Sequence, residues 1–299
     1  MPRVIDIEDG SACTLEECID ALQTQGFRPW EEDSLVGAAR WLRRLGNNRT
    51  FLGDMLLAEL RDGIAAAEDA SDYGPQVVML SPLGSEFYMR ANFWPGAADH
   101  MFRASGPSAF SYELPHDHNF DFLTLGYFGP GYASDYYEYD YERVAGIVGE
   151  KAGLRFTGRE TLTPGKIMHY RAHRDVHSQL PPASLSVSIN IMHASGAQGW
   201  LDQYRFDVEN DEIAGVISPG GAEIFLRLAV GLGGAEALDL ADHIAANHRS
   251  DRMRLTALDA RAGAMDRDAR DDLWRRAELA GSLLVAGEAK RRRRALERA

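Results

Sequence analysis

The chain has 299 residues, of which 45% are hydrophobic, 26% charged and 9% aromatic, enough apolar content for a sizeable core. A net charge of −13 argues against nucleic-acid binding, because phosphate contacts need clustered Lys and Arg. Only two cysteines occur, Cys13 and Cys18, too few for a disulfide framework or a thiolate zinc cage.

The opening stretch from Met1 to Asp9 lacks an apolar core of signal-peptide length, and no run approaches the roughly 18 apolar residues of a membrane span. A cytoplasmic chain with no membrane partner is therefore expected. Residues 1–74 carry helical periodicity. Leu35, Val36, Ala39, Leu42 and Leu45 recur at three- and four-residue steps, as do Leu52, Met55, Leu56 and Leu60. Ser11 or Thr14, each with acidic residues following, is the expected N-cap. The small, acidic stretch from Ala65 to Gly74 marks a boundary.

Residues 75–216 change to β character. Strands are expected over Gln76–Leu80, Phe87–Phe93, Tyr136–Tyr141, Leu154–Phe156, Ile167–Tyr170 and Leu185–Ile191. Gly129-Pro130-Gly131, Pro164-Gly165 and Pro181-Pro182 punctuate them as turns. Many short strands with such turns predict a sandwich or barrel. Residues 217–299 return to helical spacing through Ile224, Leu228, Leu238, Leu240, Ile244, Leu255, Leu258, Leu273 and Leu283, read as four or five helices of a packing or dimerisation bundle. The basic run Lys290–Arg294 reads as a solvated helix end, where cations suit the helix dipole.

Five of the nine histidines fall between residues 116 and 177. His116 and His118 are two apart, so on a strand they share a face, as two ligands of one metal require. Phe120, Phe122 and Thr124 would continue that face as an apolar interior. Neutral imidazole suits iron, zinc, copper or nickel; the alternative is a pair of surface or hydrogen-bonded core histidines.

The context resembles the cupin superfamily. His116, His118 and the Gly129-Pro130-Gly131 turn match its first motif. Thr163-Pro164-Gly165, with His177 about a dozen residues on, matches its second, and Ser186–Met192 supplies the closing strand. The resemblance covers about residues 76–216 and neither helical flank. It implies an antiparallel cupin-type β-barrel (double-stranded β-helix) at 75–216; with the N-terminal helical segment at 1–74 and the C-terminal helical bundle at 217–299 read from periodicity, an α+β chain is expected.

The resemblance also implies metal ligation by His116, His118 and His177. The family's acidic ligand position holds Phe122 or Leu123, and Asp121 falls on the opposite face of a regular strand, so a three-histidine site is the simplest reading. Such sites resemble those of thiol dioxygenases and imply Fe(2+), or another divalent transition metal, acting with dioxygen on a small, amino-acid-like substrate. A redox-neutral isomerase or lyase, and a ligand-sensing barrel, are the alternatives. A homodimer is a further expectation.

His169 reads as a buried hydrogen-bonded histidine that orients a ligand or substrate. His173-Arg174-Asp175 has the His-x-Asp form of 2-oxoglutarate oxygenases, with His243 as the distant third ligand it would need. Arg90, Arg171 and Arg174 are candidate carboxylate anchors. Tyr88, Tyr127 and Tyr137 are candidate hydrogen-bond donors to bound oxygen.

Overall fold

A computed structural model describes residues 1–63, 76–84, 86–196, 198–218 and 220–298. The expected boundary at 65–74 lies outside the described residues. The chain divides into two compact units, Met1–Tyr139 with Leu154–Gly196, and Asp140–Gly153 with Ala197–Ala299. These groupings cut across the three sequence zones. The N-terminal helices share a unit with the barrel strands, and residues 140–153 and 197–216 group with the C-terminal helices.

The first unit opens with β1 (Arg3–Val4), then α1 (Leu15–Gln25), α2 (Glu32–Asn47) and α3 (Phe51–Gly63). Thr14 is the N-cap of α1: its hydroxyl accepts from the Glu17 backbone N–H, and the Glu17 carboxylate accepts from the Thr14 N–H in return. On α2, Leu35, Ala38, Ala39, Leu42 and Leu45 are buried, which is one helical face. Burying one such leucine contributes about 1.5–3 kcal/mol.

The remaining elements of this unit are β2 (Val77–Met79), β3 (Phe87–Trp94), α4 (His100–Ser105), β4 (Phe122–Phe128), β5 (Tyr132–Glu138), β6 (Arg155–Leu162), β7 (Ile167–Tyr170), β8 (Asp175–Gln179) and β9 (Ser186–His193). They form a six-stranded sheet ordered β1-β7-β4-β9-β3-β2 and a three-stranded sheet ordered β6-β5-β8. Every pairing is antiparallel.

Period-two alternation divides the six-stranded sheet between two cores. Met89, Ala91, Leu123, Leu125, Ile167, Val187, Ile189 and Ile191 pack under the N-terminal helices. Trp94, Phe122, Met168, Tyr170 and Met192 point the other way and meet Tyr132, Tyr136 and Leu162 of the three-stranded sheet. Two antiparallel sheets thus enclose an interior, the cupin-type barrel that the resemblance implies.

Two departures from the expected strand boundaries bear on the site. The strand placed at Tyr136–Tyr141 starts earlier, as β5 at Tyr132, because the Gly129-Pro130-Gly131 turn returns the chain at once. Gly129 and Gly131 have φ of 79° and 84°. A Cβ on Gly131 would overlap the Leu162 carbonyl oxygen, so the position demands glycine twice over. Strand β4 begins at Phe122, so His116 and His118 precede it on an irregular segment.

The second unit contains the hairpin β10 (Tyr204–Asp207) and β11 (Glu212–Val216), then α5 (Gly221–Leu232), α6 (Ala235–Asn247), α7 (Asp251–Gly263), α8 (Arg267–Ala277) and α9 (Leu283–Arg298). Ser250 and Asp266 cap α7 and α8 with their side-chain oxygens. The spacing of Ile224 and Leu228 does not say which face of α5 is buried. Leu226 and Val230 are its buried pair, while Ile224 and Leu228 are exposed. The basic run on α9 is engaged inside the unit: Arg292 pairs with Asp259 and Glu288, and Arg293 with Asp271 and Glu278. Among the described residues, no helix is long and apolar enough to cross a membrane.

Candidate metal centre

The site is built where the segment before β4 crosses β8. His116 forms an antiparallel bridge with His177, each backbone N–H donating to the other's carbonyl at 3.0 and 2.9 Å. The carbonyl of His118 accepts from the His173 backbone N–H at 2.8 Å. Asp117, between the two histidines, is fully buried and accepts from the Tyr139 hydroxyl at 2.6 Å. An extended segment whose middle side chain is anchored on one side presents its two neighbours on the other.

The imidazoles of His116, His118 and His177 converge. Their ligand atoms lie within 4.8 Å of one another, and all three residues are buried. The His177 Nε2 is 3.0 Å from the His118 Nε2 and 3.2 Å from the His116 Nε2. The His118 ring sits between Phe120 and Phe122, and the His177 ring meets Tyr170 edge-on at 5.0 Å.

Three features fit this cluster to a divalent transition metal. The His116 Nδ1 lies 2.7 Å from the Leu114 carbonyl, which can only accept, so the proton is on Nδ1 and the Nε2 lone pair faces the cluster. Burial lowers the pKa of all three rings, helped at His118 and His177 by the neighbouring imidazoles and at His116 and His118 by Arg90, which keeps the imidazoles neutral. The spacing also suits one shared ion: the His177 Nε2 lies 3.0 and 3.2 Å from the other two Nε2 atoms, and donors that each lie about 2.1 Å from one metal are separated by roughly 3–3.5 Å.

A cavity of about 160 Å³ is lined by the three histidines. Its walls are more polar than the apolar interior expected from Phe120, Phe122 and Thr124. Phe122, Trp94, Tyr132 and Tyr170 line it, but so do Gln76, Asn92, Asn190, Gln179 and Ser111, with Arg90 as the cationic lining residue. The amides were invisible to motif reasoning because their strands are far apart in sequence. The β3–β9 register places Arg90 opposite Asn190, and Gln179 comes from β8 of the other sheet.

The other candidates separate cleanly. His169 turns to the opposite sheet face, where its Nε2 meets the Asp121 carboxylate at 3.0 Å, so neither joins the three-histidine cluster. The Asp175 carboxylate is held by the backbone and guanidinium of Arg171, and His173 sits in a turn at φ 57°; neither belongs to the cluster, and His243 lies on α6 of the second unit. Arg171 and Arg174 pair with Glu138, leaving Arg90 as the expected anchor that reaches the cavity. Tyr127 lies on the helix side, its hydroxyl donating to the Asn48 carbonyl, and Tyr137 packs against Phe156. Tyr88 packs against the inner core without lining the cavity. The cavity tyrosines are instead Tyr132 and Tyr170, the latter bonded to the Tyr136 hydroxyl at 2.7 Å.

No protein family is matched by this chain. No curated protein matches it either. Among solved structures, it is similar to a DMSP lyase from Ruegeria pomeroyi (11% identity, 47% of this chain and 68% of that one, TM-score 0.24). It is also similar to a cupin-like protein from Thermotoga maritima (10% identity, 48% and 95%, TM-score 0.25). A prolyl-4-hydroxylase from Pseudomonas putida is similar at 13% identity, with 61% and 99% covered and a TM-score of 0.24.

Proposed function

We propose that the barrel is a mononuclear non-haem iron centre that oxidises a small anionic, amino-acid-like molecule with dioxygen. The observation that carries this reading is the convergence of three neutral, buried imidazoles on a cavity whose lining includes Arg90 and, among the described residues, no carboxylate. In this reading His116, His118 and His177 hold the metal. Iron bound there supplies the redox chemistry, and neutral ligands leave it the full positive charge that favours an anionic substrate.

The chain's own residues bind and orient. Arg90 draws the carboxylate of the substrate into a cavity that has little competing negative charge. Phe122, Trp94 and Tyr170 exclude bulk water from the reacting end, which strengthens each electrostatic contact within. Tyr170, hydrogen-bonded to Tyr136, can hold a proton at its hydroxyl beside the cluster.

The test is oxygen uptake by iron-loaded protein against a panel of short amino and carboxylic acids. Uptake matched to substrate loss, and abolished by His118→Ala, is expected. Substrate turnover without oxygen consumption would instead assign redox-neutral lyase or isomerase chemistry.

A further inference from the structure

The geometry points to Gln179 as the residue that selects the substrate, by accepting a hydrogen bond from a hydroxyl or ammonium group next to the carboxylate. This rests on reading the cavity as the substrate pocket.

Gln179 follows His177 by two residues on β8, so both side chains leave the same face. Its backbone is pinned on both edges. It pairs with Ser134 of β5, and its carbonyl accepts from the Glu113 N–H at 2.9 Å. The side chain lines the cavity, with Nε2 3.3 Å from the His177 Nε2.

Its Oε1 is buried and has no hydrogen-bond partner among the described residues, in a residue only 4% exposed. The other cavity amides satisfy one another or the backbone: Asn190 donates to the Asn92 Oδ1, and Gln76 donates to the Phe110 carbonyl. A buried acceptor without a donor is costly and rare, so one on a side chain that lines a cavity marks where a ligand donor belongs.

Size narrows the ligand further. A cavity near 150 Å³ holds a benzene-sized molecule of about six heavy atoms, and this one is about 160 Å³. Arg90 for the carboxylate and Gln179 for the donor then define a short 2-hydroxy or 2-amino carboxylate.

The experiment titrates zinc-loaded protein, which cannot turn over oxidatively, with lactate, alanine and propionate by calorimetry. Lactate carries the hydroxyl donor and alanine the ammonium donor, and propionate carries neither. Wild type should bind lactate or alanine roughly tenfold or more tighter than propionate, and whichever is tighter identifies the donor. Gln179→Leu should erase that preference while holding propionate affinity within about twofold. Gln179→Met, unbranched and close in length, repeats the test should the leucine variant not fold. Arg90→Met should weaken all three acids together.

A preference that survives both Gln179 variants overturns the assignment, as does a wild type that binds the three acids alike or binds none of them. Zinc content is measured on the same samples. Protein that takes up no zinc counts against the metal reading, while the comparison of acids on that metal-free protein still decides the role of Gln179.

Discussion

His116 and His177 exchange both backbone hydrogen bonds across one antiparallel rung, and their Nε2 atoms lie 3.2 Å apart on the same side of it. A hydrogen-bonded pair of this kind fixes both side chains by main-chain geometry. Residues 61 positions apart in sequence are thereby locked into one chelating unit. His118 completes it from two residues along.

Removing an imidazole of this unit should differ sharply from removing His169. His177→Ala is expected to lose most of its metal affinity in a metal titration. His169→Ala, whose ring bonds Asp121 on the other sheet face, should keep it within about tenfold, the low end for a partner that acts at a distance. The reverse ranking would show that the two roles are exchanged.

Tyr139 and Asp117 hold the ligand-bearing segment in place. Tyr139→Phe deprives a fully buried carboxylate of a donor and should cost about 1–3 kcal/mol in chemical denaturation. It should also weaken metal binding by roughly 10- to 100-fold. Unchanged affinity in a stably folded variant would mean that the segment holds its shape without this bond.

The metal-free protein should lose stability in mild acid. Above about pH 6.5 the cluster histidines are neutral in both the folded and unfolded chain, and stability is full. Below that, the unfolded chain takes up protons that the folded cluster, its pKa values lowered by burial, does not, so stability falls with pH. His173, lowered to about 4 by burial, acts in the same direction. Melts between about pH 8 and pH 5 should be level at first and then decline, and His118→Phe should make the decline shallower. A melting temperature that rises on acidification would contradict neutral burial of these rings.

Gly131→Ala should destabilise the barrel by about 2 kcal/mol or more, combining a left-handed φ with a clash against the Leu162 carbonyl. Thermal melting checks this. A neutral substitution would show that the turn can shift.

Much of the barrel was legible in local pattern. Ile167–Tyr170 was read to the residue, and the β9 boundaries differed by one residue at the start and two at the end, because apolar runs between Pro and Gly turns have few other readings. The three histidines were legible through motif spacing. The strand under His116 and His118 was not, because a single bridge to β8 replaces a regular ladder there. Gln179, Asn190 and Arg90 went unread as a group because they lie on strands of two different sheets and meet only in the folded interior. Ile224 and Leu228 marked α5 as helical by their spacing, but spacing did not say which face is buried, and packing within the unit buries Leu226 and Val230 instead.

The most direct measurement is metal content of the protein purified without added metal, set beside the His116→Ala/His118→Ala double variant. The three-histidine site predicts about one transition-metal ion per chain in the wild type, and none in the double variant that keeps its fold by circular dichroism. Full metal occupancy in the double variant, or a wild-type chain that neither carries nor takes up a transition metal, would contradict it.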